Sequence, residues 1–185
     1  NSRVTALARG LQSLGVGDGD RIVLVSENRP AWLIADIAIM ATGAITTPAY
    51  ITNTAADHHH ILTDSGAKGV IVSTAKLAEK VLKGAEGVDG LEFVIVMEES
   101  PPHSGAPRVI RMADLLETGR ARHENVSEAA EDIPRDATAC IIYTSGTGGT
   151  PKGVMLSHGA IMHNCNGALE ALSDLGIGRE VFLSF

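Results

Sequence analysis

Large rings are nearly absent from this sequence: three Phe, two Tyr and one Trp make aromatics 3% of 185 residues. A core without them must be filled by aliphatic side chains of modest size, which suits buried parallel strands packed closely against helices. Cysteine is as scarce. Cys140 and Cys165 stand alone with no CxxC pair, so no disulfide framework is encoded, and two free thiols fit a reducing cytoplasm. Basic residues are outnumbered, with 15 Lys and Arg against 22 Asp and Glu and a net charge of −7. That balance argues against non-specific nucleic-acid binding, which needs basic surface to neutralise phosphates. No apolar run approaches the roughly 20 residues of a membrane-spanning helix, and no secretory leader is visible. The chain opens on Asn1 and stops inside the apolar run Val181-Phe182-Leu183-Ser184-Phe185, so both ends read as cuts in a longer protein.

What is present alternates. Val4, Leu7, Ala8, Leu11 and Leu14 recur at helical spacing, a glycine-rich break follows at 15–20, and residues 21–25 read as a short buried strand. Pro30 fits the first turn of a helix whose apolar face should include Trp32, Ile37 and Met40, with Gly43 ending it. An extended segment at 44–48 leads to Thr54, a cap for a helix over 55–64. A strand at 69–73, a short helix at 75–83 and a strand at 92–96 continue the series. Residues 101–107 form a proline-rich loop, and the charged stretch 117–136 reads as a surface helix with flanking loops. The pattern predicts an α/β fold with an open, mostly parallel sheet and helices on both faces. Ligands are then expected at the carboxyl ends of the strands.

Metal-like groupings are weak. His58, His59 and His60 are adjacent, and on a helix adjacent side chains point in different directions, so an ordinary, partly exposed helix is expected there. His158, His163 and Cys165 lack the ligand spacing of a structural zinc site. Asp18 and Asp20 lie among glycines without the later acid of a calcium loop, and read as a solvated turn. Asp36, in an otherwise apolar helix, is the one acid placed for burial. Ser157 fits the cap of a helix running to about residue 172. No metal site and no catalytic nucleophile is expected within the chain.

One segment carries chemistry. A strand-like run, residues 138–143, leads directly into Thr144-Ser145-Gly146-Thr147-Gly148-Gly149-Thr150-Pro151-Lys152-Gly153. These ten residues hold four glycines, four hydroxyl side chains and one lysine. Glycine lets backbone N–H groups converge on an anion, hydroxyls donate to phosphate oxygens, and lysine supplies a compact positive charge. The pattern G-x-x-x-x-G-K-[ST] fails, because Pro151 precedes Lys152 and Gly153 follows it; G-x-G-x-x-G fails at its last glycine. A second strand-like run, Val154-Met155-Leu156, follows where either nucleotide fold would place a helix. The loop is therefore expected to join two strands.

The string from Tyr143 to Val154 resembles the signature loop of the adenylate-forming (AMP-binding) superfamily, with Gly148 where the family usually carries Thr or Ser. The resemblance extends along nearly the whole chain, through Ser26-Glu27-Asn28-Arg29-Pro30 with Trp32, Pro48-Ala49-Tyr50, and Ser65-Gly66-Ala67. Lys152-Gly153-Val154-Met155-Leu156-Ser157-His158 and Phe182-Leu183-Ser184-Phe185 look most like the long-chain fatty acid–CoA ligase branch. The resemblance implies that residues 1–185 are part of the large amino-terminal AMP-binding domain, an incomplete amino-terminal subdomain, with the small carboxyl-terminal domain absent. It implies a parent enzyme that uses ATP with Mg2+ to turn a fatty acid into an acyl-adenylate, then passes the acyl group to coenzyme A. Thr144, Ser145, Gly146, Thr147, Gly148, Gly149, Thr150 and Lys152 would bind the ATP phosphates. The remaining catalytic parts would lie beyond Phe185, leaving the isolated piece inactive. Two other readings stay open: an adenylate-forming enzyme for aryl or amino acids, and a non-catalytic nucleotide-binding module. Peripheral membrane association would suit a long-chain substrate, though no basic amphipathic helix in the chain supports it.

Overall fold

The computed structural model describes residues 2–144 and 150–173. Its elements run α1 (Ser2–Ser13), β1 (Arg21–Val25), α2 (Pro30–Met40), β2 (Ile45–Ala49), α3 (Ala55–Ser65), β3 (Gly69–Val72) and α4 (Ala75–Gly84). They continue with β4 (Phe93–Val96), β5 (Arg108–Arg111), α5 (Met112–Arg120), α6 (Val126–Glu131), β6 (Thr138–Thr144), β7 (Lys152–Ser157) and α7 (His158–Ser173). The strands form one sheet in the order β5-β4-β3-β1-β2-β6-β7. All neighbours are parallel except β6 and β7, which form an antiparallel pair. The expected α/β fold, an open, mostly parallel sheet covered on both faces, is what the structure has.

Strand pleating divides the core in two. Ile22, Leu24, Ile71, Phe93 and Ile95 point to one face, where they meet buried residues of α1, α2, α5 and α6. Val23, Val25, Val70, Val72, Val94 and Val96 point to the other, packed against α3 and α4. Burying both faces is why these strands read as continuous aliphatic runs instead of alternating with polar residues. Phe93 sits opposite Gly69 in the β3–β4 register, and a Cβ at Gly69 would overlap its ring. Glycine thereby makes room for the Phe93 ring.

Helix α3 is fixed at both ends. Thr54 and Asp57 form a reciprocal capping box at its start. Gly66 ends it with φ at 59°, a left-handed conformation that glycine adopts freely. Arg21, at the head of β1, then donates from Nε to the Ser65 carbonyl at 2.7 Å and from a terminal nitrogen to the Gly66 carbonyl at 2.6 Å. These contacts satisfy carbonyls that a helix end leaves without partners.

Three local readings need correction. The buried side of α2 is Ala35, Ala38 and Ile39, while Ile37 is 49% exposed and Met40 only half-buried. The helix is apolar nearly all round, so no single stripe marks its inner face. Strand β5 and helix α5 were not anticipated. The stretch 117–136 is also divided, with α5 ending at Arg120 and a separate short α6 following. The contacts of α5 are tight: a Cβ at Gly119 would overlap the Ala6 carbonyl of α1.

Candidate functional site

The site is built where β6 ends and β7 begins. Their antiparallel register pairs Tyr143 with Gly153 and Thr144 with Lys152, so the glycine-rich segment joins two strands, as the strand-like run after it implied. Lys152 and Thr144 stand opposite each other at the carboxyl end of β6, both exposed, with Thr150 also exposed. Ser145, Gly146, Thr147, Gly148 and Gly149 lie outside the described residues. Three of the expected phosphate-binding residues are thus located at the mouth of the hairpin.

Both strands of the hairpin are held from one helix, α3. The Tyr143 hydroxyl donates to an Asp64 carboxylate oxygen at 2.6 Å. His60 Nε2 lies 2.9 Å from the Pro151 carbonyl, which can only accept, so that nitrogen carries the hydrogen. The His60 and Tyr143 rings meet edge-on, with centroids 6.0 Å apart and planes at 84°. Burial, then the Asp64 carboxylate, push the Tyr143 phenol above its usual range.

The histidine run of α3 resolves into three separate roles. His58 is buried between α3 and α4 with Nε2 lacking a hydrogen-bond partner among the described residues, and its pKa falls to about 4 through burial and the nearby Lys80. Only His58 departs from the partly exposed surface expected of this run. His59 Nδ1 contacts the Gly84 carbonyl at 2.9 Å, and His60 serves the hairpin. Among the described residues, no three His, Cys, Asp or Glu side chains are grouped to hold a metal ion.

Two cavities open at the carboxyl ends of the strands. One, of about 440 Å³, is lined by Asn53, Asp57, Ile61, Tyr143, Thr144 and Pro151. The other, of about 430 Å³, includes Glu27, Trp32, Tyr50 and Ile142. Both share Pro48, Ala49, Tyr50 and Tyr143, so together they form a trough beside the hairpin. At the neighbouring ends of β1 and β3, the buried Ser73 donates to Glu27 at 2.6 Å and holds that carboxyl below its usual range. This is where the sheet order reverses direction from β2 to β3, the position at which open α/β sheets bind ligands. A larger cavity, of about 710 Å³, lies elsewhere, between α4 and the loop at 101–107.

Other expected positions are ordinary. Asp36 is half-buried, and burial raises its carboxyl. Asp20 accepts from the Gly17 amide at 3.0 Å and from Lys68 at 2.8 Å, a turn closed by an ion pair. Ser157 caps α7 through the Ala160 amide at 3.2 Å.

The clasp from α3 was missed in the sequence. His60 stands 91 positions from Pro151, and Asp64 stands 79 from Tyr143. Nothing local signals such pairings.

Comparison with known proteins identifies the family. A family model described as AMP-binding enzyme matches residues 1–185. The chain is 30% identical over 182 residues to the long-chain-fatty-acid–CoA ligase ACSBG1 of Rattus norvegicus, covering 97% of this chain and 25% of that protein. It is 35% identical over 168 residues to the long-chain-fatty-acid–CoA ligase FadD15 of Mycobacterium tuberculosis, covering 90% of this chain and 27% of that one. The chain thus spans about a quarter of the length of these relatives. Among solved structures, a benzoate CoA ligase from Burkholderia xenovorans superposes with a TM-score of 0.75 at 26% identity, over 96% of this chain and 32% of that one. A long-chain-fatty-acid-CoA ligase, FadD1 from Archaeoglobus fulgidus, does so at 0.70 and 26%, with the same coverage. With its strand-joining glycine loop and its family match from end to end, the chain belongs to the AMP-binding enzyme family of adenylate-forming ligases.

Proposed function

We propose that the protein carrying this chain is an AMP-forming ligase that activates a long-chain fatty acid, and that residues 144–152 bind the ATP phosphates. The observation that carries this reading is the pairing of Thr144 with Lys152 across the hairpin mouth, at the carboxyl end of a parallel sheet. Lys152 brings a charge, and Thr144 and Thr150 bring donors, to the two ends of a glycine-rich connection. The names of the relatives support the fatty acid.

The chemistry asks little of the chain beyond placement and charge. The substrate carboxylate oxygen attacks the α-phosphorus of ATP, the bond to the bridging oxygen breaks, and pyrophosphate leaves with that electron pair. Coenzyme A sulfur then attacks the acyl carbon, its proton is lost, and AMP departs. Holding the β- and γ-phosphates by Lys152 and hydroxyl donors orients the α-phosphate for in-line attack and offsets charge gathering on the leaving pyrophosphate. The nucleophile is the substrate itself, so none is required of the protein. The 185 residues on their own are expected to bind triphosphate without completing the two steps. No helix among the described residues is long and apolar enough to cross a membrane. Two unpaired cysteines suit a reducing compartment, and we place the enzyme in the cytoplasm on that ground.

The test is acid-dependent exchange of labelled pyrophosphate into ATP by the full-length protein, over a panel of carboxylic acids. Exchange greatest with long aliphatic acids is the expected result. Exchange only with aryl or amino acids would overturn the substrate, and no exchange with any acid would leave a nucleotide-binding module.

A further inference from the structure

We propose that His60 is a positioning residue for Lys152, holding the exit strand of the phosphate-binding hairpin through the Pro151 carbonyl. This rests on the phosphate-binding reading given above. Pro151 lies one residue outside the β6–β7 register, immediately before Lys152. Its carbonyl is taken by His60 Nε2 at 2.9 Å. The direction of the chain entering Lys152 is therefore set by a side chain on α3, in addition to the strand ladder.

The arrangement is braced. Asp64 lies four residues after His60, on the same face of α3, and receives the Tyr143 hydroxyl at 2.6 Å. Tyr143 in turn meets the His60 ring edge-on at 6.0 Å. One helical face thus fixes both strands leading to the loop: Asp64 holds the entry strand and His60 the exit strand. The helix is a firm anchor, closed by the Thr54–Asp57 capping box and by Arg21 at its carboxyl end. A cation on a flexible stem gains most from a fixed starting point, because each degree of freedom lost beforehand need not be lost on binding. Both the neutral Nε2–H ring and the imidazolium donate to a carbonyl, so the contact does not depend on ring charge.

The experiment compares ATP (with magnesium) and AMP as titrants against the full-length protein, its His60→Phe, His60→Gln and Lys152→Met variants. AMP lacks the β- and γ-phosphates that Lys152 would meet. His60→Phe keeps a ring against Tyr143 and removes the donor. It is expected to weaken ATP about tenfold, the scale of one hydrogen bond between well-held partners, and to leave AMP unchanged. His60→Gln restores an N–H of similar reach and should return ATP to within about threefold of the parent. Three results would overturn the assignment: ATP affinity unmoved by His60→Phe while Lys152→Met weakens it, ATP and AMP weakened alike, or no recovery with glutamine. If Lys152→Met itself leaves ATP affinity unmoved, the phosphate-binding reading fails first and this inference with it.

Discussion

The Tyr143 hydroxyl and the Asp64 carboxylate, 2.6 Å apart, join the end of β6 to α3 across 79 positions of sequence. Loss of this bond in Tyr143→Phe should cost about 1 kcal/mol of stability. Burial and the carboxylate hold the phenol above its usual range. A raised pKa contributes fully below the unfolded value of about 10 and is lost as pH climbs through the folded one. In a tyrosinate absorbance titration, the difference between parent and Tyr143→Phe should therefore show no step near pH 10 while the protein stays folded. A normal step there would mean that the hydroxyl is not so held.

Gly69→Ala tests the packing of β3 on β4. The added Cβ overlaps the Phe93 ring, and Phe93 is fully buried, so ring and backbone must shift together. A loss of about 2 kcal/mol is expected, read from the urea midpoint. An unchanged midpoint would show that the ring can move at little cost.

His58 gives acid sensitivity of a defined sign. Its folded pKa, about 4, is depressed first by burial and then by Lys80, with Asp57 opposing. The unfolded chain therefore takes up the proton first. Stability is complete above about pH 6.5 and declines as pH falls toward the folded value, by something on the order of 3 kcal/mol. His58→Leu should flatten that part of the stability profile. Parallel profiles for parent and variant would assign the acid lability to other groups.

The two cysteines should differ sharply toward iodoacetamide. Cys165 is exposed on α7, whereas Cys140 is buried in β6. Burial, aided by the nearby Asp36, pushes the Cys140 thiol up, which lowers the reactive thiolate fraction. Peptide mass spectrometry is expected to find Cys165 alkylated at least about tenfold faster. Equal rates would mean that β6 opens readily.

What could be read in the sequence was what local chemistry specifies. Thr54, Asp57 and Gly66 delimit α3 within one stretch of chain, and the valine-rich strands announce two-sided burial. The segment proposed to bind phosphate stands out in the sequence because glycines, hydroxyls and a lysine are concentrated in ten residues. Strand β5 was not, since four residues with arginine at both ends carry no strand-like pattern of their own. Helix α5 does carry a signal, Met112, Leu115, Leu116 and Gly119 at helical spacing. His60 had no such signal. Its partner is a backbone carbonyl, a group every residue owns, so only the folded chain distinguishes Pro151 from the rest.

Order across the sheet also bears on order in time. Strands β1 to β5 are assembled by consecutive short crossovers, whereas β6 reaches β2 through the pairing of Thr46 with Cys140, across half the chain. Such a late-closing neighbour is where a native protein first comes apart, because few ladder bonds need to be broken. Amide protons of the hairpin should thus exchange with solvent ahead of those in β1 and β3. The contacts from α3 then act as a latch on a sub-global opening, and the cooperative unit holding the proposed phosphate site would be smaller than the sheet that carries it.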